Sequence, residues 1–387
     1  MAHSSFWSII VGLFIFLYAY TCSAYVELSE AALKAIPRPG KSFDIHSGEL
    51  LAPILIPRVS GTEGNEKVRN FFAQYFAGQL PKWKVTYQNS TSKTPVTGER
   101  DVPFVNMIIK RDPPWASEGQ TSYLTLVAHY DSKISPPGFI GATDSAAPCA
   151  MLLHVAKSIE TAIESKWSRN KGDVETMKLD PDNNKGVQIL LLDGEEAFQT
   201  WTATDSIYGA RSLAVEWETV MHPAMSTYHN PLRSIEMFVL LDLLGAPSPR
   251  VPSYFKLTHW IYQKMARLEE RMRELKLLYS SPNHKKREDE KRENEPMFFN
   301  EARKKETDQW LGGYIGDDHE PFLARGVDIF HIIASPFPRV WHLPEDNGDH
   351  LHIDTTEDWA VLMTAFTAEY MELVDFMPQK LAIRDEL

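Results

Sequence analysis

Apolar residues recur along the chain with two different periods. Five short runs, at residues 104–110, 123–130, 187–193, 237–244 and 327–334, are nearly continuous in Val, Ile, Leu, Met and Phe, as strands buried on both faces are. Around them, at 66–78, 145–166, 206–217, 255–279 and 357–376, apolar positions return every three to four residues, which predicts amphipathic helices. Strands alternating with helices predict an α/β fold: a three-layer sandwich with a central mixed, mostly parallel twisted sheet flanked by helices. No internal repeat and no long Gly/Ser or Pro-rich linker divides the 387 residues, so a single domain over residues 25–387 is expected.

The two ends and one internal segment break this pattern. Residues 6–20 are uninterruptedly apolar but shorter than the roughly 20 residues that span a bilayer, and the small residues Cys22 and Ala24 follow as they do at a signal cleavage site. A signal peptide over residues 1–24 is expected; the lack of Lys or Arg in the first five residues keeps a retained anchor as the alternative. Residues 283–306 mix acids and bases densely, which predicts a solvated insertion. The last four residues, RDEL at 384–387, differ by one residue from the Lys-Asp-Glu-Leu address, and Asn89-Ser90-Thr91 is a glycosylation sequon. Together these predict the secretory pathway, with retrieval to the endoplasmic reticulum lumen by its receptor, and secretion or Golgi anchoring as alternatives.

Composition narrows the partners. A net charge of −12, with acids scattered along the chain, argues against nucleic acid, and membrane contact is expected only if the N-terminal segment stays. No coiled-coil pattern or extra apolar stripe appears, so a monomer is expected. Once Cys22 leaves with the signal, Cys149 is the only cysteine and no intramolecular disulfide can form.

Chemistry-bearing residues gather where the predicted strands end. AHYD closes the second strand with His129, and the loop after it carries Asp144 in GATDS. The third strand breaks at a glycine and delivers Glu195 and Glu196; the fourth contains Asp242 near its end; His342 follows the fifth. In such sheets ligands sit outside the strand ends. Carboxylates brought to one rim repel one another unless a cation or shared protons compensate them. A zinc ion would do so, accepting Asp and Glu oxygens and His nitrogens and leaving one position open for chemistry. Two adjacent glutamates could then divide the work, one binding metal and the other moving protons. Taken singly, each acid has an ordinary alternative as a helix cap or salt-bridge partner.

The segments AHYDSK (128–133), GATDSAAPCAM (141–151), LLDGEEAF (191–198), LLDLLGAPSP (240–249), GDDHEPF (316–322) and SPFPRVWH (335–342), in this order, resemble glutaminyl-peptide cyclotransferases, or glutaminyl cyclases. The resemblance spans roughly residues 31–376, and the family's wider relatives are the co-catalytic zinc aminopeptidases. It implies one zinc ion per chain, held by Asp144, Glu196 and His342, with Glu195 as the acid/base. It also implies a hydrogen-bonded relay of Asp242 and Asp317, pocket walls from Trp201 and Trp341, Phe337 at the mouth, and no metal on His129. The implied substrates are peptides or proteins with N-terminal glutamine, cyclised to pyroglutamate with release of ammonia; N-terminal glutamate is a second candidate.

One departure from the family is that Ala128 faces the position of Cys149 where family members often pair two cysteines, so a brace is missing and a free thiol is expected near the metal loop. The other is the charged insertion, which falls just before Gly316-Asp317-Asp318. Two rival readings remain. One is a two-zinc aminopeptidase using His129 and Asp242 as further ligands, which ligand types alone do not exclude. The other is a binding protein that keeps the fold without the chemistry.

Overall fold

The computed structural model describes residues 26–169, 181–284, 296–310 and 315–378. The expected signal peptide, residues 285–295 of the charged insertion and the RDEL tail lie outside them. The described elements are, in chain order, α1 (Glu30–Ala35), α2 (Glu63–Gln79), β1 (Lys84–Lys93), β2 (Asp101–Arg111), β3 (Ser122–His129), α3 (Ala147–Arg169), β4 (Lys185–Leu192), α4 (Tyr208–Thr219), β5 (Ile235–Asp242), α5 (His259–Glu274), α6 (Glu320–Leu323), β6 (Ile329–Ile333) and α7 (Ile353–Tyr370).

The strands form one six-stranded sheet in the order β1-β2-β4-β3-β5-β6. β4, β3, β5 and β6 run parallel, and β2 and β1 add antiparallel pairings at one edge. This is the mixed, mostly parallel sheet flanked by helices that the periodicity predicts. β1 is the strand the pattern does not predict. Its sequence, KVTYQNSTSK, buries only Gln88 and pairs with a single neighbour, so no apolar run marks it.

Side chains alternate across the sheet with the strand period of two. Leu124 and Leu126 of β3, Ile189 and Leu191 of β4, Val239 of β5 and Ile332 of β6 pack into one core with α2, α3, α5 and α7. Val127, Leu190, Leu192, Phe238 and Leu240 face the other way, into a smaller core closed by Leu213, Ala214 and Trp217 of α4 and by Phe322 of α6. Helices thus cover both faces, and the central strands are almost entirely buried and mostly apolar because neither face meets water.

All five helix starts differ from their periodicity by two to four residues, and two of the shifts have a clear local reason. The run from residue 145 turns helical only at Ala147, because Asp144 and Ser145 hold non-helical φ of −121° and −129°. α7 starts at Ile353, four residues before the run at 357–376, because the His352 side chain accepts from Thr355 N, an N-cap that residue type does not advertise.

Cys149 lies in the first turn of α3, fully buried, with Sγ donating to His129 O at 3.1 Å. Burial pushes its thiol up to about 12, so the free thiol expected near the metal loop is present but protonated and sealed from solvent.

This topology also locates the site. β3 lies between β4 and β5, and the chain leaves β3 to build β4 on one side before crossing to β5 on the other. A crevice opens at such a point outside the carboxyl ends of the strands.

Candidate active site

Each strand end is shaped to deliver a side chain. After β3, the chain turns at Gly141, whose φ is +64° and where an added Cβ would lie 2.1 Å from Asp144 O; only glycine fits that close approach. After β4, Gly194 has φ +74°, and a Cβ there would lie 2.3 Å from the Phe104 ring. The carbonyls of Asp193, Gly194 and Glu195 then accept hydrogen bonds from Gly209, Tyr208 and Ile207, at the start of α4, at 2.6 to 3.0 Å. The Asp131 carboxylate accepts from Glu195 N at 3.1 Å and Glu196 N at 3.2 Å. The two adjacent glutamates therefore sit on a backbone pinned from both sides.

The loop after β6 is tied to the loop after β3. Asp346 accepts from Thr143 N at 2.8 Å and Thr143 Oγ1 at 3.0 Å, and its own carbonyl accepts from Ala142 N at 3.0 Å. His342 has φ +57° and Leu243, just after Asp242, has φ +52°. Non-glycine residues reach this region at a cost of order 1–3 kcal/mol, and they concentrate where a site demands a direction.

Asp144, Glu196 and His342 each offer a ligand atom within 4.8 Å of the others. His342 Nε2 stands 3.5 Å from Asp144 Oδ2 and 3.6 Å from Glu196 Oε2, too far for strong charge-assisted hydrogen bonds. Asp144 Oδ2 and Glu196 Oε1 are buried and accept no hydrogen bond. Ligands about 2.0–2.1 Å from a tetrahedral zinc stand about 3.3–3.4 Å apart, so this donor set fits one such ion.

The charges agree with that fit. Burial opposes ionisation of Asp144, but the imidazoles of His129 and His342 outweigh it and hold its carboxyl below the usual range. Burial and the neighbouring Asp144 raise Glu196, against His342 and Lys133, whose Nζ lies 3.4 Å from Glu196 Oε2. Burial disfavours the charged form of His342, yet Asp144 and Glu196 raise it to about 9. The metal-free ring is thus protonated at neutral pH, and a metal must displace that proton to bind. Zinc uptake is therefore expected to release a proton, with apparent affinity rising up to about tenfold per pH unit below pH 9 and levelling above it. Chelator competition at pH 6, 7, 8 and 9 measures this; a flat profile between 6 and 8 would contradict it.

Glu195 lines the same cleft, among further carboxylates. Burial, with the Glu196, Asp317 and Asp318 carboxylates, raises it well above the carboxylate range, against His129. Asp242 accepts from the Ser145 hydroxyl and from Leu243 N. Asp317 is fully buried, with Oδ2 2.7 Å from His331 Nε2 and Oδ1 accepting from Asp318 N. Burial and the Asp242 carboxylate raise Asp317, while burial lowers His331 to about 4.

These groups open into a cleft of about 580 Å³ lined by Asp144, Glu195, Glu196, Asp242 and His342 together with Trp201, Ile315, Phe337 and Trp341. Phe337 and Trp341 meet edge to face at 4.8 Å, and Trp341 stacks on His342 at 4.0 Å. Of the nine residues to which the resemblance gives a site role, the structure brings eight to this cleft and sets Asp317 behind it. His129 lies beneath, 3.0 Å from Asp144 and 3.4 Å from both Asp131 and Asp242.

Sequence reasoning assigned no role to Asp131, Ser145, His331, Asp346 or Arg58. His331 carries the one readable signal, an imidazole inside the apolar run of β6. The rest act through hydrogen bonds between segments far apart in sequence.

Comparison with known proteins gives consistent results. The chain matches the family described as peptidase family M28 over residues 108–367. It is 39% identical over 329 residues to a glutaminyl-peptide cyclotransferase-like protein of Mus musculus, covering 84% of this chain and 75% of that one. It is 36% identical over 348 residues to a glutaminyl-peptide cyclotransferase of Drosophila melanogaster, covering 89% and 85%. Among solved structures, Macrostomum lignano glutaminyl cyclase superposes with a TM-score of 0.70 at 28% identity, covering 91% of this chain and 96% of that one.

Proposed function

Because the chain belongs to peptidase family M28 and to the glutaminyl-peptide cyclotransferases, we propose that it cyclises N-terminal glutamine of peptides and proteins to pyroglutamate, releasing ammonia, with one zinc ion per chain. The observation that carries this reading is the Asp144, Glu196 and His342 donor set beside Glu195 in a cleft walled by Trp201, Trp341 and Phe337. A zinc ion held by that set supplies, when bound, a Lewis acid for the side-chain amide carbonyl.

The α-amine nitrogen attacks the side-chain amide carbon, the bond to the amide nitrogen breaks, and the proton lost by the attacking nitrogen leaves with ammonia. No water is consumed. Glu195 moves that proton, and its raised proton affinity suits a carboxyl that must both take and return it. Trp201, Trp341 and Phe337 hold the side chain folded back on the amine and exclude water. For an intramolecular closure this alignment is a large part of the catalysis. Asp242, fixed by Ser145, and the Asp317–His331 pair buffer the charge beside Glu195.

The apolar segment 6–20 supports action in the secretory pathway, and N-terminal sequencing of the expressed protein tests it by a start at Tyr25. The activity itself is tested by ammonia release from a glutamine-initiated peptide, beside an aminopeptidase substrate, with and without chelator. Metal-dependent ammonia and an intact aminopeptidase substrate are expected. Release of the terminal residue instead would establish the two-zinc aminopeptidase, and inactivity without bound zinc would establish the binding protein.

A further inference from the structure

Arg58 is fully buried, just before α2, in a place no catalytic motif marks. All five of its guanidinium N–H groups go to backbone carbonyls and none to a carboxylate. Nε donates to Tyr130 O at 2.7 Å. Nη2 donates to Gly141 O at 3.0 Å and Asp144 O at 3.4 Å, and Nη1 to Ile56 O at 3.5 Å and to Ile140 O. Tyr130 stands at one end of the loop 131–144; Ile140, Gly141 and Asp144 stand at the other. The fork therefore closes that loop. Arg58 N adds a bond to Ser132 Oγ at 2.9 Å, and Ser132 donates on to Phe139 O at 3.3 Å. Arg58 O accepts from Asn65, whose amide also donates to Asp193 at the end of β4.

Packing alone does not account for this residue. A buried guanidinium is costly to desolvate, and an apolar side chain of similar size would fill the space at less cost. Burial works against its charge, while Asp131, Asp144 and Asp346 favour it. What an arginine supplies is a planar set of five donors, which no other side chain matches, and a fixed positive charge under the acids.

We propose that Arg58 is a positioning residue for metal binding: it holds the Asp144 loop in its binding conformation and offsets the repulsion of the metal-free acids. The inference rests on the reading of Asp144, Glu196 and His342 as the metal site. A ligand loop that is only partly ordered lowers apparent affinity by the fraction that is binding-competent, and substitutions of such outer partners weaken metal binding by roughly 10- to 100-fold.

The test measures zinc affinity by chelator competition, and the thermal midpoint with and without zinc, for wild type, Arg58→Lys, Arg58→Met and Ser132→Ala. Arg58→Lys keeps the charge but at most three donors, and is expected to bind zinc about 10- to 100-fold more weakly; Arg58→Met, without the charge, is expected to bind more weakly still. Ser132→Ala, which leaves Arg58 in place, is expected to move the same way by less and serves if Arg58→Met does not fold. Zinc should also stabilise each variant less than it stabilises wild type. Equal zinc affinity in wild type and Arg58→Lys, with both thermal midpoints lowered alike, would overturn the proposal and leave Arg58 a stability residue. A wild type that binds no zinc would instead overturn the metal reading itself.

Discussion

Replacing Glu195 by Gln is expected to lower kcat/KM for a glutamine-initiated peptide by about 10²- to 10⁴-fold, the usual contribution of a positioned acid/base. The loss should fall on kcat, because the variant removes a proton transfer made only in the transition state and leaves the walls of the cleft intact. Glutamine has the same shape as glutamate, and the backbone at 195 is held by Asp131 and Ile207 whatever the side chain carries. The variant should therefore fold. It should be as stable as the parent or more so, since it removes one buried carboxyl from the neighbourhood of Glu196, Asp317 and Asp318. Bound zinc should be unchanged, because the donor set contains Glu196 and not Glu195. Steady-state kinetics with metal analysis on the same sample decide it. Activity within a few-fold of wild type would remove Glu195 from the chemistry, and loss of zinc would make it a ligand.

The site was legible in the sequence to the extent that it lies at the ends of apolar runs. Asp144, Glu195, Glu196, Asp242 and His342 each follow or close a strand whose residues are buried on both faces, so the strand pattern itself points at them. Legibility stops where the fold brings distant segments together. Nothing near Arg58 in the chain announces that it will close a loop more than 70 residues away. Asp131 reads as an ordinary acid after a strand until the Glu195 and Glu196 amides are seen to meet it. β1 is invisible for the opposite reason. An edge strand with one neighbour needs no apolar pattern, so its polar sequence resembles a loop. The strand and helix ends lay hidden in backbone detail, as at Leu243, where a left-handed residue stops β5 right after Asp242.

Ligand types allow one metal or two, since His129, Asp144 and Asp242 also offer donor atoms within 4.8 Å of one another, and metal content decides between them. Its Nε2 lies 3.0 Å from Asp144 Oδ1 and 3.4 Å from Asp242 Oδ1, and its Nδ1 lies 3.4 Å from Asp131 Oδ1. Burial opposes charge on this ring, yet the three carboxylates raise it well above its ordinary value. The ring engages one oxygen of Asp144 while the other faces His342. On the proposed reading one equivalent of zinc per chain is expected, with Asp144 the residue on which it most depends. Asp144→Asn keeps the shape but removes the charge that both imidazoles and the ion share. It should lose zinc affinity by more than the roughly 10- to 100-fold of an outer-shell substitution and lose cyclase activity with it. His129→Gln, which vacates the rival position, should still bind one equivalent. Metal analysis after dialysis, with activity on the same samples, tests both. Two equivalents in the wild type, falling to one in His129→Gln, would make the site a two-metal centre and His129 a ligand, whereas an Asp144→Asn protein that keeps its zinc would move the ion to another donor set.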